Sequence, residues 1–131
     1  MSSSPSIPSV SKPALWTGWV LSGLPSLLLL FSGAMKLANP PGLTEGFAHL
    51  GLPVSHALGL GLLELGCTVV YLVPRTAVLG AVLLTGYLGG AILTHLRIGE
   101  PFILQALLGV VLWGGVYLRE PRLRALLPLR R

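Results

Sequence analysis

Four long apolar runs divide the chain, and none of them alternates between apolar and polar positions as a half-buried strand does. They cover residues 14–37, 54–73, 76–95 and 102–118. A helix crosses the hydrocarbon of a bilayer in about 20 residues, with a range of about 17–25, so each run is long enough. Helices also satisfy their own backbone hydrogen bonds in lipid. The pattern therefore predicts an all-α protein, an integral membrane four-helix bundle.

The stretches between the runs hold residues that end helices. The first, KLANPPGLTEGFAHLGLP at residues 36–53, has three prolines and is long enough for a short amphipathic helix near residues 44–50 at the membrane interface. The second, VPR at residues 73–75, and the third, RIGEP at residues 97–101, predict tight turns because proline cannot continue a preceding helix.

Basic residues are distributed unequally between the two ends of the predicted bundle. Lys36 and Arg97 lie at one end. The other end, which holds both termini, carries Lys12, Arg75, Arg119, Arg122, Arg124, Arg130 and Arg131. Because positively charged loops stay in the cytoplasm, we expect both termini to be cytoplasmic in a multi-pass protein of the cell (inner) membrane.

The two ends of the chain differ in composition from the apolar runs. Residues 1–13 are rich in serine and proline and predict a disordered leader. Residues 119–131 form a basic cytoplasmic tail, which either only fixes topology or lies against anionic lipid.

Composition supports the membrane assignment and excludes some functions. Hydrophobic residues make up 53% of the chain and charged residues 10%, against roughly a quarter charged in soluble domains. The net charge of +5 comes mainly from basic residues flanking apolar runs, so we expect no nucleic acid partner. The single cysteine, Cys67, forms neither an internal disulfide nor a C-x-x-C motif.

Small residues spaced by four predict where the helices touch, because lipid gives no hydrophobic drive for helix association. The third run has two such series, and the first and second runs have one each. They are Ala81–Thr85–Gly89, Gly86–Gly90–Thr94, Gly18–Ser22–Ser26 and Ala57–Gly61. We expect most of them to be helix contacts.

Glu64 lies about ten residues into the second run, at about the middle of the bilayer. An acidic residue there costs about 2.5–3.5 kcal/mol on insertion scales. We therefore expect Glu64 to face the bundle interior and to be either paired or protonated.

The other polar residues of the spans gather in the half of the bundle away from the termini. They predict a polar pocket with Glu64 as its floor. Glu64 and His95 are the candidate catalytic residues. The candidate ligand-binding residues are Lys36, His56, Tyr87, Arg97 and Gln105.

These candidates also have structural interpretations. Lys36 and Arg97 can reach the lipid headgroups, and Glu64 can serve as a clasp between helices. The three histidines are too scattered in sequence for a metal site, so no metal is expected.

Four segments resemble the DoxX-like family of small four-span membrane proteins in order and spacing. They are LLFSGAMKL (29–37), EGFAHLGLP (45–53), GLLELGCTVVYLVP (61–74) and GAILTHLRIGEP (90–101). The resemblance covers about residues 15–118. It implies that Lys36, Glu64, His95 and Arg97 are the polar positions of the family. It also implies an association with membrane oxidoreductases that pass electrons to quinone, since family members are named for such subunits.

Three functions remain open at this point. The chain is an accessory subunit of a membrane oxidoreductase system that binds a quinone-like lipophilic molecule, a membrane isomerase or hydrolase with Glu64 as acid or base, or a non-catalytic assembly partner. No cofactor site is evident apart from one for quinone. The expected partners are the lipid bilayer, a membrane or soluble oxidoreductase, and further copies of the chain.

Overall fold

The computed structural model describes residues 11–127, and within that range all regular secondary structure is helical. Single turns of 3₁₀ helix, Val54–His56 and Pro74–Thr76, lead into the third and fourth α-helices. The α-helices are α1 (Lys12–Ala38), α2 (Leu43–His49), α3 (Ala57–Leu72), α4 (Ala77–Arg97), α5 (Ile103–Arg119) and α6 (Pro121–Leu126). The predicted all-α bundle is confirmed.

The predicted leader and tail lie partly outside the described residues. Residues 1–10 and 128–131 are not described. Helix α1 already begins at Lys12, and the Ser11 hydroxyl caps it by accepting a hydrogen bond from the Ala14 amide at 3.3 Å. In the tail, the short helix α6 is capped by Glu120, whose side chain accepts from the Arg122 amide.

The four long helices form a closed ring in the order α1, α3, α4, α5, and α5 returns to α1. Successive members of the ring run antiparallel. The start of α3 meets the end of α1 where Gly61 approaches Lys36, and the start of α1 meets the end of α5 where Gly18 approaches Arg119. We call the end of the bundle that carries α2 the α2 end and the opposite end the α6 end.

Glycines allow the closest approaches between helices. A Cβ on Gly18 would lie 2.9 Å from the Gly115 carbonyl, and one on Gly61 would lie 2.9 Å from the Gly33 carbonyl. A Cβ on Gly80 would collide with the backbone of Tyr71. At these positions even alanine is too large without a shift of the helices.

The contacts expected from the third run are wrong for its glycines. A Cβ built on Gly86, Gly89 or Gly90 would meet no atom of another described helix within 4 Å, and all three are exposed. The side of α4 that does pack contains Gly80 and Leu84 together with Ala81, which is the buried member of one predicted series. Spacing by four occurs on both faces of this glycine-rich helix, so spacing alone did not identify the contact face.

The outer surface of the bundle is apolar, as lipid contact requires. Large side chains such as Leu24, Phe31 and Val110 are more than 60% exposed. Three helical stretches meet the length and hydropathy of a membrane span: Lys12–Ala38, Val54–Leu72 and Pro74–Arg97. The fourth, Ile103–Arg119, has 17 residues, which is about 25 Å of helix. Its length is at the lower limit for a span.

Candidate functional site

Glu64 lies in the interior of the bundle, with 1% of its surface exposed. One carboxylate oxygen, Oε1, accepts three hydrogen bonds. The donors are Lys36 Nζ at 2.7 Å, Tyr87 Oη at 3.0 Å and Ser32 Oγ at 3.3 Å. Lys36 Nζ also donates to Ser32 Oγ at 2.8 Å. The cluster therefore connects α1, α3 and α4 around one buried oxygen.

The Lys36–Glu64 ion pair makes the buried carboxylate tolerable. Removing two charges from water costs several kcal/mol for each ion, and close geometry with further hydrogen bonds offsets this cost. Lys36 reaches Glu64 because it lies near the end of α1, where a long side chain can extend along the helix surface. Ser32 precedes Lys36 by four residues and thus lies on the same face of α1.

Two hydrogen-bonding groups of the cluster remain available. No hydrogen bond from the described part of the chain reaches Glu64 Oε2. Lys36 uses two of its three N–H groups on Ser32 and Glu64. Glu64 and Lys36 therefore offer one acceptor and one donor beyond the bonds that they make to each other.

These two residues line a cavity of about 550 Å³ that lies among all four long helices and α2. This volume is within the range of small-molecule sites, about 300–1,000 Å³. Most of the lining is apolar. The polar side chains that line it are Ser32, Lys36, Glu64, Tyr87, Thr94, His95 and Gln105.

His95 and Gln105 form a second polar group on the wall of the cavity. His95 Nδ1 lies 2.7 Å from the Ala91 carbonyl. A carbonyl only accepts, so Nδ1 carries the hydrogen, and Nε2 of the neutral ring is an acceptor. Gln105 Nε2 lies 3.5 Å from His95 Nε2. Gln105 Oε1 is buried and has no partner among residues 11–127.

The structure brings together five of the seven predicted site residues, and it does not bring His56 or Arg97 into the cavity. His56 is exposed in the 3₁₀ turn and lines a smaller adjacent depression. Eight residues separate it from Glu64, a rotation of about 80° from the same face. Arg97 follows His95 by two residues, so it points to the other side of α4. There it donates to the Leu50 carbonyl at 2.5 Å.

Helix α2 forms a roof over the α2 end of the cavity, a role that sequence reasoning missed. Phe47 of α2 is buried and lines the cavity together with Leu50 and Leu52. Two contacts connect the roof to the end of α4 and the turn after it: the Arg97 bond to Leu50 and a His49–Glu100 contact of 2.5 Å. The apolar positions of the segment are the only sequence signal for this role.

A second polar cluster lies near the α6 end. The Tyr71 hydroxyl donates to the Leu112 carbonyl at 2.6 Å and lies 2.9 Å from Ser22 Oγ. Arg119 donates to Ser22 Oγ at 2.9 Å and to the Tyr71 carbonyl at 3.1 Å. Its guanidinium also stacks over Trp19, 4.3 Å from the ring centroid.

Comparison with known proteins gives one match. The sequence model of the DoxX-like family matches residues 20–115, which include every residue of the Glu64 cluster and both residues of the His95–Gln105 pair. No curated protein and no solved structure matches the chain. The match covers well over half of the chain, and its four apolar helices are those of a multi-pass membrane protein. The chain belongs to the DoxX-like family.

Proposed function

We propose that the protein binds a quinone-like lipophilic molecule in the cavity around Glu64 and acts as an accessory subunit of a membrane oxidoreductase system. The observation that carries the proposal is an apolar cavity that leads to a buried ion pair with a free acceptor and a free donor. Apolar lining with a few placed polar groups is typical of small-molecule sites.

The polar groups match the headgroup of a quinone in either redox state. A quinone carbonyl accepts, and the third N–H of Lys36 supplies a donor. A quinol hydroxyl donates, and Glu64 Oε2 supplies an acceptor. Gln105 and His95, on the same cavity wall, add a second polar group for the other end of the ring. In this proposal the electrons come from the partner oxidoreductase, since the chain supplies only binding and proton-exchanging groups.

Orientation is part of the same proposal. Lys12, Arg75, Arg119, Arg122 and Arg124 lie at the α6 end. By the positive-inside rule we place this end on the cytoplasmic side of the cell (inner) membrane and the cavity in the opposite leaflet. A reporter that is active only in the cytoplasm should be active when fused to either terminus.

The direct test is to purify the protein in lipid nanodiscs, extract it with organic solvent and quantify quinones by mass spectrometry. Protein stripped of lipid is then titrated with a benzoquinone that carries a decyl chain. We expect Glu64→Gln to weaken binding by about tenfold or more, because a hydrogen bond to a charged group contributes about 1.5–3 kcal/mol. Glu45→Gln is the matched control, since Glu45 is exposed on α2. The absence of both retained quinone and measurable binding would refute the proposal.

The partner is tested separately with a tagged copy. We expect an oxidoreductase to be retained in stoichiometric amount by the native protein. Retention of the partner with no quinone in either protein would support accessory function without the quinone site.

A second candidate is a non-catalytic assembly partner in which Glu64 only clasps helices. The observation that favours it is the convergence of three donors from α1 and α4 on one oxygen. Under this alternative, Glu64→Gln lowers the unfolding temperature, and neither the native protein nor the variant binds quinone.

A further inference from the structure

We infer that the apolar chain of a bound ligand lies in a gap between α3 and α4, and that this gap, not the water-facing end of the bundle, is the passage to the cavity. The inference rests on the proposed function, because it concerns how a lipophilic molecule occupies the same cavity. It adds the ligand class, a polar headgroup with an apolar chain, and the side of the protein from which that chain emerges.

The α2 end of the cavity is closed toward water. Phe47 is 6% exposed and lines the cavity from the roof. The roof is attached at two points, to the last residue of α4 through Arg97 and Leu50 and to the following turn through His49 and Glu100. A molecule entering from water would have to displace a packed aromatic ring and both contacts.

The side of the cavity between α3 and α4 is open toward lipid. Gly86 and Gly90 of α4 line the cavity, yet both are exposed. Leu63 of α3 also lines the cavity and is 51% exposed. Near the α6 end the same two helices touch closely where Gly80 meets Tyr71. The helices therefore pack tightly at that end and leave a gap beside the cavity.

The gap exists because Gly86 and Gly90 of α4 have no side chains. A Cβ on Gly86 or Gly90 would meet no atom of another described helix within 4 Å, so packing between the helices does not require glycine there. Glycine in a helix interior costs about 0.5–1 kcal/mol relative to alanine. Passage of a ligand chain gives these glycines a role that helix packing does not.

The gap continues outside the bundle as a groove along α3. Leu52, Leu60 and Leu63 line both the cavity and a smaller depression that also includes Ser55 and His56. The groove is apolar where it leaves the cavity and polar toward the membrane surface. A chain that leaves the cavity between α3 and α4 thus meets apolar side chains before it enters the lipid.

The test compares two leucine substitutions on one helix. Gly90→Leu places a side chain in the gap. Gly89→Leu places the same side chain on an exposed position that does not line the cavity. The Cβ of neither leucine would contact another described helix, and both substitutions replace glycine with a better helix former. Gly86→Leu is a second gap variant should Gly90→Leu fold poorly.

Two probes are titrated in phosphatidylcholine nanodiscs: a benzoquinone with a decyl chain and the same headgroup without the chain. We expect Gly90→Leu to weaken binding of the chain-bearing probe by about tenfold, a typical effect of overpacking, and to affect the chainless probe much less. Gly89→Leu should leave both affinities unchanged. Equal effects of the two leucine variants, or equal losses for the two probes, would overturn the inference while leaving the proposed function intact. If the native protein binds neither probe, both fail.

A second measurement tests whether the roof is the passage. Glu100→Gln weakens its attachment through His49 and should not change the release rate of the chain-bearing probe. Gly90→Leu should change that rate. Faster release from Glu100→Gln, with no effect of Gly90→Leu, would identify the roof as the passage instead.

Discussion

Replacing Lys36 with methionine leaves the Glu64 carboxylate buried without its countercharge. The two atoms of the pair are 2.7 Å apart, where the Coulomb attraction is about 6 kcal/mol at an effective dielectric constant of about 20. Desolvation of the two ions offsets most of this attraction, so the pair adds little net stability. Removing one partner is different, because it leaves the desolvation of the other uncompensated, at about 3–5 kcal/mol.

The structure predicts that Lys36→Met and Glu64→Gln lower the free energy of unfolding by different amounts. The Lys36 side chain is 17% exposed and lies near the end of α1, so in Glu64→Gln its ammonium can extend toward the headgroups. The Glu64 side chain is 2% exposed and has no such route. We expect Lys36→Met to cost about 3–5 kcal/mol and Glu64→Gln to cost less. The double variant should recover part of the loss from Lys36→Met, because no unpaired charge then remains.

The assay is reversible unfolding in mixed micelles of increasing SDS content, followed by far-ultraviolet circular dichroism. A double-mutant cycle gives the coupling between the two sites. Lys12→Met is the matched control, because Lys12 is exposed at the start of α1. Wild-type stability of Lys36→Met, or a double variant whose loss equals the sum of the single losses, would refute the reasoning.

Three further predictions test the rest of the bundle. Tyr71→Phe removes the side-chain donor from the buried Leu112 carbonyl and should lower the free energy of unfolding by about 1–3 kcal/mol in the same assay. A comparable loss from Tyr117→Phe, whose side chain is only partly buried, would count against this cause. Gly80→Ala should destabilise the protein by about 1–3 kcal/mol because its Cβ meets the Tyr71 backbone. Gly89→Ala should be neutral or stabilising by up to about 1 kcal/mol. Equal effects of the two alanine variants would contradict the close contact between α3 and α4 at Gly80. Gln105→Leu removes a buried oxygen that has no partner among residues 11–127, so it should maintain or raise the unfolding temperature while weakening quinone binding. A lower unfolding temperature with unchanged quinone binding would contradict its assignment to the site.

Much of the site follows from the sequence, because the bilayer leaves few arrangements for a charged residue. A carboxylate at mid-membrane must face the interior, and antiparallel helices bring the end of α1 and the middle of α4 to the same level as Glu64. Those two facts place Lys36 and Tyr87 near it. Ser32 was missed although it precedes Lys36 by one helical turn, since a lone serine in an apolar run is usually an unremarkable packing residue.

The errors arise where rotation about a helix axis matters more than depth. His56 and Arg97 lie at the same level as other polar residues, and depth alone grouped them with the pocket. The 3.6-residue turn directs both away from it, and the contact between Arg97 and Leu50 depends on a loop whose path the sequence does not specify. The α4 glycines illustrate the same limit, because spacing by four marks a face without stating what that face meets.

The two polar clusters of the bundle suggest how a clasp differs from a binding site in a membrane protein. At the α6 end, the polar atoms of Ser22 and Tyr71 are fully buried and all have partners, and neither residue lines the cavity. At the α2 end, Glu64 retains a free oxygen beside a cavity. A cluster selected only to hold helices together gains from satisfying every group, since unsatisfied polar groups are costly in a low dielectric. Unused hydrogen-bonding capacity beside an apolar space fits the proposed ligand, and this is the reason to search for it at Glu64 and not at Arg119.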